Sequence, residues 1–146
     1  MIVVVAGTSG LLAALDEEHP AGAAAREVLD RSGLLVLSPV LLSELDHLAR
    51  RILGFDAALD AVNDILRRVR SGRAVMPEIT AGTLEAAQAV RTRQLDLRLD
   101  LADAVNIALA AQFRTDAILA LDQRDFRAVR PLTAEHKAFR ILPFDL

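Results

Sequence analysis

The sequence predicts an α/β fold in which a mainly parallel sheet is covered by helices on both faces. Short apolar runs alternate along the chain with longer amphipathic segments, which is the pattern of consecutive strand–helix units. The first run, residues 1–6, contains no charge, as expected of a central strand buried on both faces. The chain has 146 residues, of which 53% are apolar, and it shows no repeat or linker. We therefore expect a single domain over residues 1–146.

Five segments have the composition of strands, because they are short, apolar and bounded by glycine, proline or polar residues. The third contains Pro77, which has no amide hydrogen to donate and therefore places this strand at an edge of the sheet. A turn over residues 122–125 is expected after the fourth. The predicted strands are residues 1–6, 34–37, 74–77, 117–121 and 141–144.

Six segments have helical periodicity or helix-capping residues. Ser38 is the expected N-cap of one helix, with Pro39 at its first position and Gly54 at its end. Thr80 is the expected N-cap of another. The predicted helices are residues 11–15, 20–31, 39–53, 56–70, 81–94 and 101–113, with an irregular, charged linker over 95–100. In the helix over 56–70 the apolar positions at helical spacing are Leu59, Val62, Ile65, Leu66 and Val69.

Composition excludes several classes of protein. The chain has no cysteine, which excludes a disulfide scaffold, a thiolate zinc site and a cysteine nucleophile. Its 20 acidic residues outnumber the 17 lysines and arginines, so the net charge is -3, against the basic footprint of most nucleic-acid binders. The only aromatic residues are five phenylalanines, which argues against a base-stacking platform.

The apolar N-terminus predicts neither an export signal nor a membrane span. No lysine or arginine precedes it, and it ends at Asp16, which is too short a run to cross a bilayer. We therefore expect a cytoplasmic protein without membrane association.

In open parallel sheets, ligands bind outside the carboxyl ends of the strands. Three segments of this chain follow strands in that way: Gly7-Thr8-Ser9, residues 38–44 and Asp122. The start of the helix near Asp103 precedes the fourth strand and is expected to face the same edge. A binding or catalytic site is therefore predicted at this edge of the sheet.

Three acidic residues stand in otherwise apolar surroundings at this edge: Glu44, Asp103 and Asp122. Buried carboxylates are costly unless they are paired or bound to a cation. Oxygen ligands suit a hard cation such as Mg²⁺ or Mn²⁺, and His47 has no partner that would complete a zinc-type set. The three acids together therefore favour a divalent-metal site.

Each acid also has an ordinary structural role. Asp103 suits the positive end of a helix dipole, Asp122 suits a turn, and Glu44 suits a solvated helix position. For three others the ordinary role is the favoured one: Asp100 as an N-cap, and Asp46 and Asp125 facing solvent. The order and spacing of Glu44, Asp103 and Asp122 together, more than any one of these acids, favour a shared site.

Four segments, in order along the whole chain, resemble the PIN-domain family, and more closely the VapC toxins of bacterial type II toxin–antitoxin pairs. They are VVAGTSGLLAAL, SPVLLSEL, LADAVNIALA and ILALDQRDF. The resemblance implies a PIN-like α/β/α sandwich and a Mg²⁺- or Mn²⁺-dependent endoribonuclease that hydrolyses RNA phosphodiester bonds. It also implies a homodimer and neutralisation by a VapB-type antitoxin.

The family pocket carries four acids, and Glu44, Asp103 and Asp122 match the last three. By this resemblance Asp103 and Asp122 hold the metal, and Glu44 positions water or a second ion. The first acid is an Asp in the family's Asp-Thr-Ser pattern, but Gly7 stands there in this chain. Because glycine has no side chain to ligate a metal, we expect weak metal binding and little cleavage. The expected supporting residues are Thr8, Ser9, Asn106 and Asp125.

Some of these roles have alternatives. Thr8 and Ser9 either bind the site or a phosphate, or cap the first helix, and Asn106 either faces the edge or is a buried, hydrogen-bonded amide. Gly7 itself favours a second function, a catalytically inactive PIN-like module that dimerises and binds antitoxin or RNA. A nucleotide-binding domain is disfavoured, because neither G-x-G-x-x-G nor G-K-[ST] follows the first strand.

Overall fold

The computed structural model describes residues 2–146, and its five strands form one parallel sheet in the order β3-β2-β1-β4-β5. The strands are β1 Val3–Ala6, β2 Leu34–Val36, β3 Ala74–Val75, β4 Ala117–Leu119 and β5 Arg140–Leu142. The central strand β1 pairs with both β2 and β4, and Val4 lies opposite Leu35 on one side and Ala117 on the other. The edge position predicted for β3 from Pro77 is confirmed. Met1, the first residue of the predicted first strand, lies outside the described residues.

Within the described residues, seven helices connect and cover the strands. They are α1 Thr8–Leu15, α2 Gly22–Arg31, α3 Pro39–Leu53, α4 Phe55–Arg70, α5 Ala81–Arg93, α6 Leu101–Gln112 and α7 Arg124–Ala128. Side chains alternate across the sheet, so that Val4 packs in a core with α1–α4 while Val5 packs in a second core with α5–α7. The fold is therefore the predicted α/β/α sandwich, with β1 buried on both faces.

The helix ends that capping residues predicted are found in the structure. Ser38 caps α3, because its Oγ accepts from the Val40 amide at 3.2 Å, and Pro39 is the first helical residue. Gly54 ends α3 with φ 99°, in the left-handed region that glycine favours. Thr80 caps α5 by accepting from the Thr83 amide at 3.3 Å.

Other boundaries were wrong by two or three residues. Helix α1 begins at Thr8 and not at residue 11, and β4 ends at Leu119 and not at 121. The linker predicted as irregular contains a 3-10 turn over Leu95–Leu97, and the turn predicted after β4 contains the start of α7. The end of β4 follows from a long-range contact, because the Leu121 amide donates to Ser9 Oγ at 2.9 Å.

Helix α4 packs on the core with only part of the face that its large apolar residues predicted, since Ile65 is buried and Val69 packs against the same core. Its buried residues are Ala58, Ala61 and Ile65, whereas Leu59 and Leu66 are 51% and 36% exposed.

Within residues 2–146 no helix is both long enough and apolar enough to cross a bilayer.

Candidate active site at the carboxyl edge of the sheet

The first site position lies where β1 meets α1. The Gly7 amide donates to the Leu119 carbonyl at 2.8 Å, which extends the pairing of β1 with β4 by one residue. A β-carbon built on Gly7 would lie 2.6 Å from that same oxygen. Since the backbone of Gly7 is ordinary, with φ -96°, this contact and not a glycine-only conformation is what disfavours a side chain here.

Asp103 lies at the centre of the acidic residues. Its amide donates to Asp100 Oδ1 at 2.8 Å, which confirms Asp100 as the N-cap of α6. Burial first, and then the negative charges of Asp100, Glu44, Asp125 and Asp122, raise the pKa of Asp103 to about 7. The fold therefore brings the three predicted acids into one electrostatic neighbourhood, together with Asp125.

Glu44 and Asp122 differ in their surroundings. Glu44 is half-buried on α3, whereas Asp122 is exposed in the loop after β4. Asp122 Oδ1 accepts from the Arg124 amide at 3.3 Å, which is the turn role that the sequence also allowed. Of the charges that act on Asp103, that of Asp122 has the smallest effect.

The prediction that Asp125 faces solvent was wrong. Asp125 is 9% exposed, in the first turn of α7, and its Oδ1 has no hydrogen-bond partner among the described residues. Arg124 Nε lies 3.6 Å from that oxygen, beyond hydrogen-bond distance. Asp46, also expected to face solvent, is half-buried. The only sequence signal for Asp125 was the neighbouring Phe126, whose burial turns α7 toward the core.

Asn106 is the buried amide that one of its two interpretations predicted. Its side chain is fully buried, and Nδ2 donates to the Ala6 carbonyl at 3.0 Å, at the end of β1. Its Oδ1 has no hydrogen-bond partner among residues 2–146. Asn106 therefore connects α6 to the carboxyl end of the central strand and leaves one acceptor free.

The hydroxyl groups of Thr8 and Ser9 do not cap α1. Gly7 is the N-cap, with no side-chain hydrogen bond, and both residues lie inside the helix. Ser9 Oγ instead accepts from the Leu121 amide at 2.9 Å and so fixes the chain just before Asp122. Thr8 is buried.

The chemistry of these residues fits a divalent cation, although their present positions do not form a finished site. Carboxylates and an amide oxygen are the ligands that Mg²⁺ prefers, and the unpartnered oxygens of Asn106 and Asp125 are free to accept. Within residues 2–146, however, no three His, Asp or Glu side chains lie close enough together to hold a metal ion. With Gly7 in the first position, a cation would have to draw the remaining acids inward.

Known proteins are similar to this chain in sequence. The family model described as "PIN domain" matches residues 4–132. Ribonuclease VapC26 of Mycobacterium tuberculosis is 38% identical over 130 residues, which cover 88% of this chain and 93% of that protein.

Two solved structures share the fold. The crystal structure of Mycobacterium tuberculosis VapC20, described as a sarcin-ricin loop cleaving toxin, superimposes with a TM-score of 0.71 at 20% identity and covers 82% of this chain and 90% of that one. Rickettsia felis VapBC2, bound to a promoter DNA fragment, gives a TM-score of 0.65 at 13% identity and covers 90% and 96%. From the family match and the similarity to VapC26 together, the chain belongs to the PIN-domain family and, within it, to the VapC-type proteins.

Proposed function

We propose that this chain is a divalent-metal-dependent endoribonuclease toxin of the VapC type, impaired by Gly7 and neutralised by a VapB-type antitoxin. The observation that carries the proposal is the gathering of Glu44, Asp122 and Asp125 around Asp103, whose pKa their charges help to raise to about 7. Mutually repelling carboxylates at the carboxyl edge of a parallel sheet are typical of a cation site. Membership of the VapC-type proteins supports RNA as the substrate.

Asp103, Glu44 and Asp122 would hold Mg²⁺ or Mn²⁺, and the burial and free oxygen of Asp125 favour it as a fourth contributor. The cation would supply the positive charge that hydrolysis of an RNA phosphodiester requires at the attacked phosphate. The protein's own residues have separate tasks. Asn106 keeps α6 against the end of β1, and Ser9 keeps the Asp122 loop against α1.

Gly7 would weaken this site in two ways. It supplies no carboxylate, and its contact with Leu119 leaves little space for one. We therefore expect weak metal binding and little cleavage by the chain as it stands.

The test compares RNA cleavage by the unchanged chain with that of Gly7→Asp, Gly7→Ala and Asp103→Asn, in Mg²⁺ and in Mn²⁺, on a panel of structured and single-stranded RNAs. Gly7→Ala is the matched control, because it introduces the same β-carbon as Gly7→Asp but no carboxylate. We expect Gly7→Asp to cleave fastest, Gly7→Ala to equal or fall below the unchanged chain, and Asp103→Asn to be inactive. Thermal unfolding of each variant checks that it is folded.

Equal cleavage by the unchanged chain and by Gly7→Asp would contradict the assignment of position 7. Undiminished cleavage by Asp103→Asn would contradict the site as a whole.

A second candidate is a catalytically inactive module that binds antitoxin or RNA, and the close contact between Gly7 and the Leu119 carbonyl favours it. RNA binding in EDTA with no cleavage by folded Gly7→Asp would support this function over the nuclease. A homodimer and a cytoplasmic location stay predictions, as does the single domain over residues 1–146. A small antitoxin reading frame immediately upstream of the gene would support the toxin–antitoxin assignment.

A further inference from the structure

An open groove lies between the last turn of α5 and the segment that follows α7. It has a volume of about 530 Å³ and is lined by Val90, Arg93 and Gln94 on one side and by residues 128–132 on the other. The two valines that line it, Val90 and Val129, are buried in the core. We call this feature the α5–α7 groove. Its bottom is therefore fixed by the protein's own packing, and its upper part is open to a ligand.

Both sides of the α5–α7 groove begin next to the acidic residues of the candidate active site. On one side, Arg91 Nε donates to the Leu99 carbonyl at 2.9 Å, which holds the last turn of α5 against the residue before Asp100. On the other side is α7, which is five residues long and carries Asp125 in its first turn. Asp100 and Asp125 are two of the acids whose charges act on Asp103. A strand bound at Asp103 therefore reaches the groove within a short distance.

The α5–α7 groove is basic. Arg93 and Arg130 are both exposed, and no acidic residue is among those that line the groove. In the part of the chain that the structure describes, no carboxylate lies within 4 Å of either guanidinium group. Arg93 suits the negative end of the α5 dipole, but Arg130 lies outside any helix, so that explanation covers only one of the two. Two unpaired guanidinium groups along one groove favour an anionic ligand, and their geometry suits phosphate oxygens.

The acidic residues explain why an RNA substrate would need such a groove. Carboxylates gathered around Asp103 repel phosphates unless a cation is bound, so the affinity for RNA has to come from basic residues outside that cluster. No aromatic side chain lines the groove, which argues against stacking of bases. Pro131 and Leu132, which is 39% exposed, offer apolar contacts to riboses. The groove is therefore suited to the RNA backbone and not to reading of the bases.

We propose that the α5–α7 groove binds the phosphates of the RNA strand beside the bond to be cleaved, with Arg93 and Arg130 as the phosphate contacts. This inference rests on the proposed function and adds to it where the substrate lies outside the acidic residues. The two arginines bind the substrate and take no part in the chemical step.

The first test measures binding of a fluorescein-labelled, mixed-sequence, single-stranded RNA by fluorescence anisotropy, in EDTA so that no cleavage occurs. Arg93→Gln with Arg130→Gln should weaken binding by at least about tenfold and should lower the slope of log affinity against log salt by about 1.4, because two phosphate contacts are lost. The matched control is Arg70→Gln with Arg114→Gln, which removes the same charge. Both control residues are exposed and precede strands at the opposite edge of the sheet, so affinity and slope should stay close to those of the unchanged chain.

The outcomes of this test separate the inference from the proposed function. RNA binding that is weakened equally by the two double variants, or by neither, would overturn the groove and leave the ribonuclease assignment standing. No RNA binding by the unchanged chain would overturn both. Polyglutamate that binds as tightly as the RNA, with the same dependence on the two arginines, would assign the groove to acidic protein segments and overturn RNA as its ligand.

The lack of cysteine allows a second test that locates the RNA directly. Leu132→Cys places a single thiol in the groove, and Leu146→Cys is the control, since Leu146 is 84% exposed at the end of the chain and does not line the groove. RNA in EDTA should slow the reaction of a maleimide with the thiol of Leu132→Cys and should leave that of Leu146→Cys unchanged. Equal rates with and without RNA for Leu132→Cys would place the RNA elsewhere and contradict the proposal.

Discussion

At position 7 one backbone oxygen determines what the residue can be. The Leu119 carbonyl accepts from the Gly7 amide at 2.8 Å and would lie only 2.6 Å from a β-carbon. The lack of a carboxylate at this position was predictable from the sequence, because Gly7 stands where the family's Asp-Thr-Ser pattern has Asp. It did not predict the lack of space, because that depends on how closely β4 approaches β1, and residues 7 and 119 are far apart along the chain.

Gly7→Ala should therefore destabilise the protein, by about 1–3 kcal/mol, because the backbone of β4 must move to admit a methyl group. Urea unfolding measures this change. Gly82→Ala is the control, since a β-carbon there meets only Thr80 Oγ1 at 3.6 Å in exposed helix, where alanine is favoured over glycine. Equal stability of Gly7→Ala and the unchanged chain would contradict this prediction, because it would mean that β1 and β4 move apart without loss of stability.

Asp103 makes the stability of the metal-free protein depend on pH. The unfolded chain loses this proton near the ordinary value of 3.8, and the folded chain loses it near a pKa of about 7. Between those values the folded state binds more protons than the unfolded state, so the free energy of unfolding contributed by this group falls as pH rises. Above about pH 7 the loss is complete.

Asp103→Asn should remove that part of the pH dependence and should stabilise the metal-free protein more at pH 8 than at pH 5. Thermal unfolding in EDTA at the two pH values measures the difference. Asp96→Asn, at an exposed position away from the site, is the control and should leave the pH dependence unchanged. A variant Asp103→Asn with the pH profile of the unchanged chain would contradict the raised pKa.

Helices whose ends are set by capping residues could be predicted from the sequence. Helices that depend on packing against distant residues could not. Ser38, Gly54, Thr80 and Asp100 each act through a neighbouring backbone group, so their helices could be read from the sequence. The short helix α7 depends on Phe126, which packs edge-to-face on Phe139 with ring centroids 6.0 Å apart. Because Phe139 lies in a later segment of the chain, the neighbouring Phe126 was the only local signal, and by itself it predicted neither α7 nor the burial of Asp125.

Phe126→Ala should cost about 3–5 kcal/mol of stability, as expected for a buried aromatic side chain, and should release α7 and Asp125 from the core. Urea unfolding gives the cost, and amide hydrogen exchange over residues 124–128 reports the release. Phe144→Ala is the control, because Phe144 is 49% exposed and should cost much less. Unchanged protection of α7 in Phe126→Ala would contradict this account.

Across the whole molecule, the parallel sheet is what assembles the site. Residues from α3, α6 and the loop after β4 meet at the edge where β1 ends, and the alternation of strands and helices was enough to predict that edge. The sequence could not give the separations between the acids. Those follow from how the helices sit on the sheet, and they leave no three acids of residues 2–146 close enough to hold a metal ion.

A cation bound by acids from separate elements should stabilise the entire fold. Saturating Mn²⁺ at pH 8 should raise the thermal midpoint slightly in the unchanged chain, more in Gly7→Asp, and least in Asp103→Asn, because stabilisation grows with affinity for the folded state. Differential scanning fluorimetry with EDTA as the reference measures these shifts. An equal rise in all three proteins would place Mn²⁺ elsewhere.

The contact between Gly7 and the Leu119 carbonyl also has a consequence for the history of the chain. A single base change converts an Asp codon to a Gly codon, and the reverse change is equally simple. A restored Asp codon does not by itself restore the space for an Asp side chain, because β1 and β4 lie too close together at this point to admit a β-carbon without a shift. A restored acid therefore regains cleavage only at a cost in stability, because β1 and β4 must shift to admit its β-carbon.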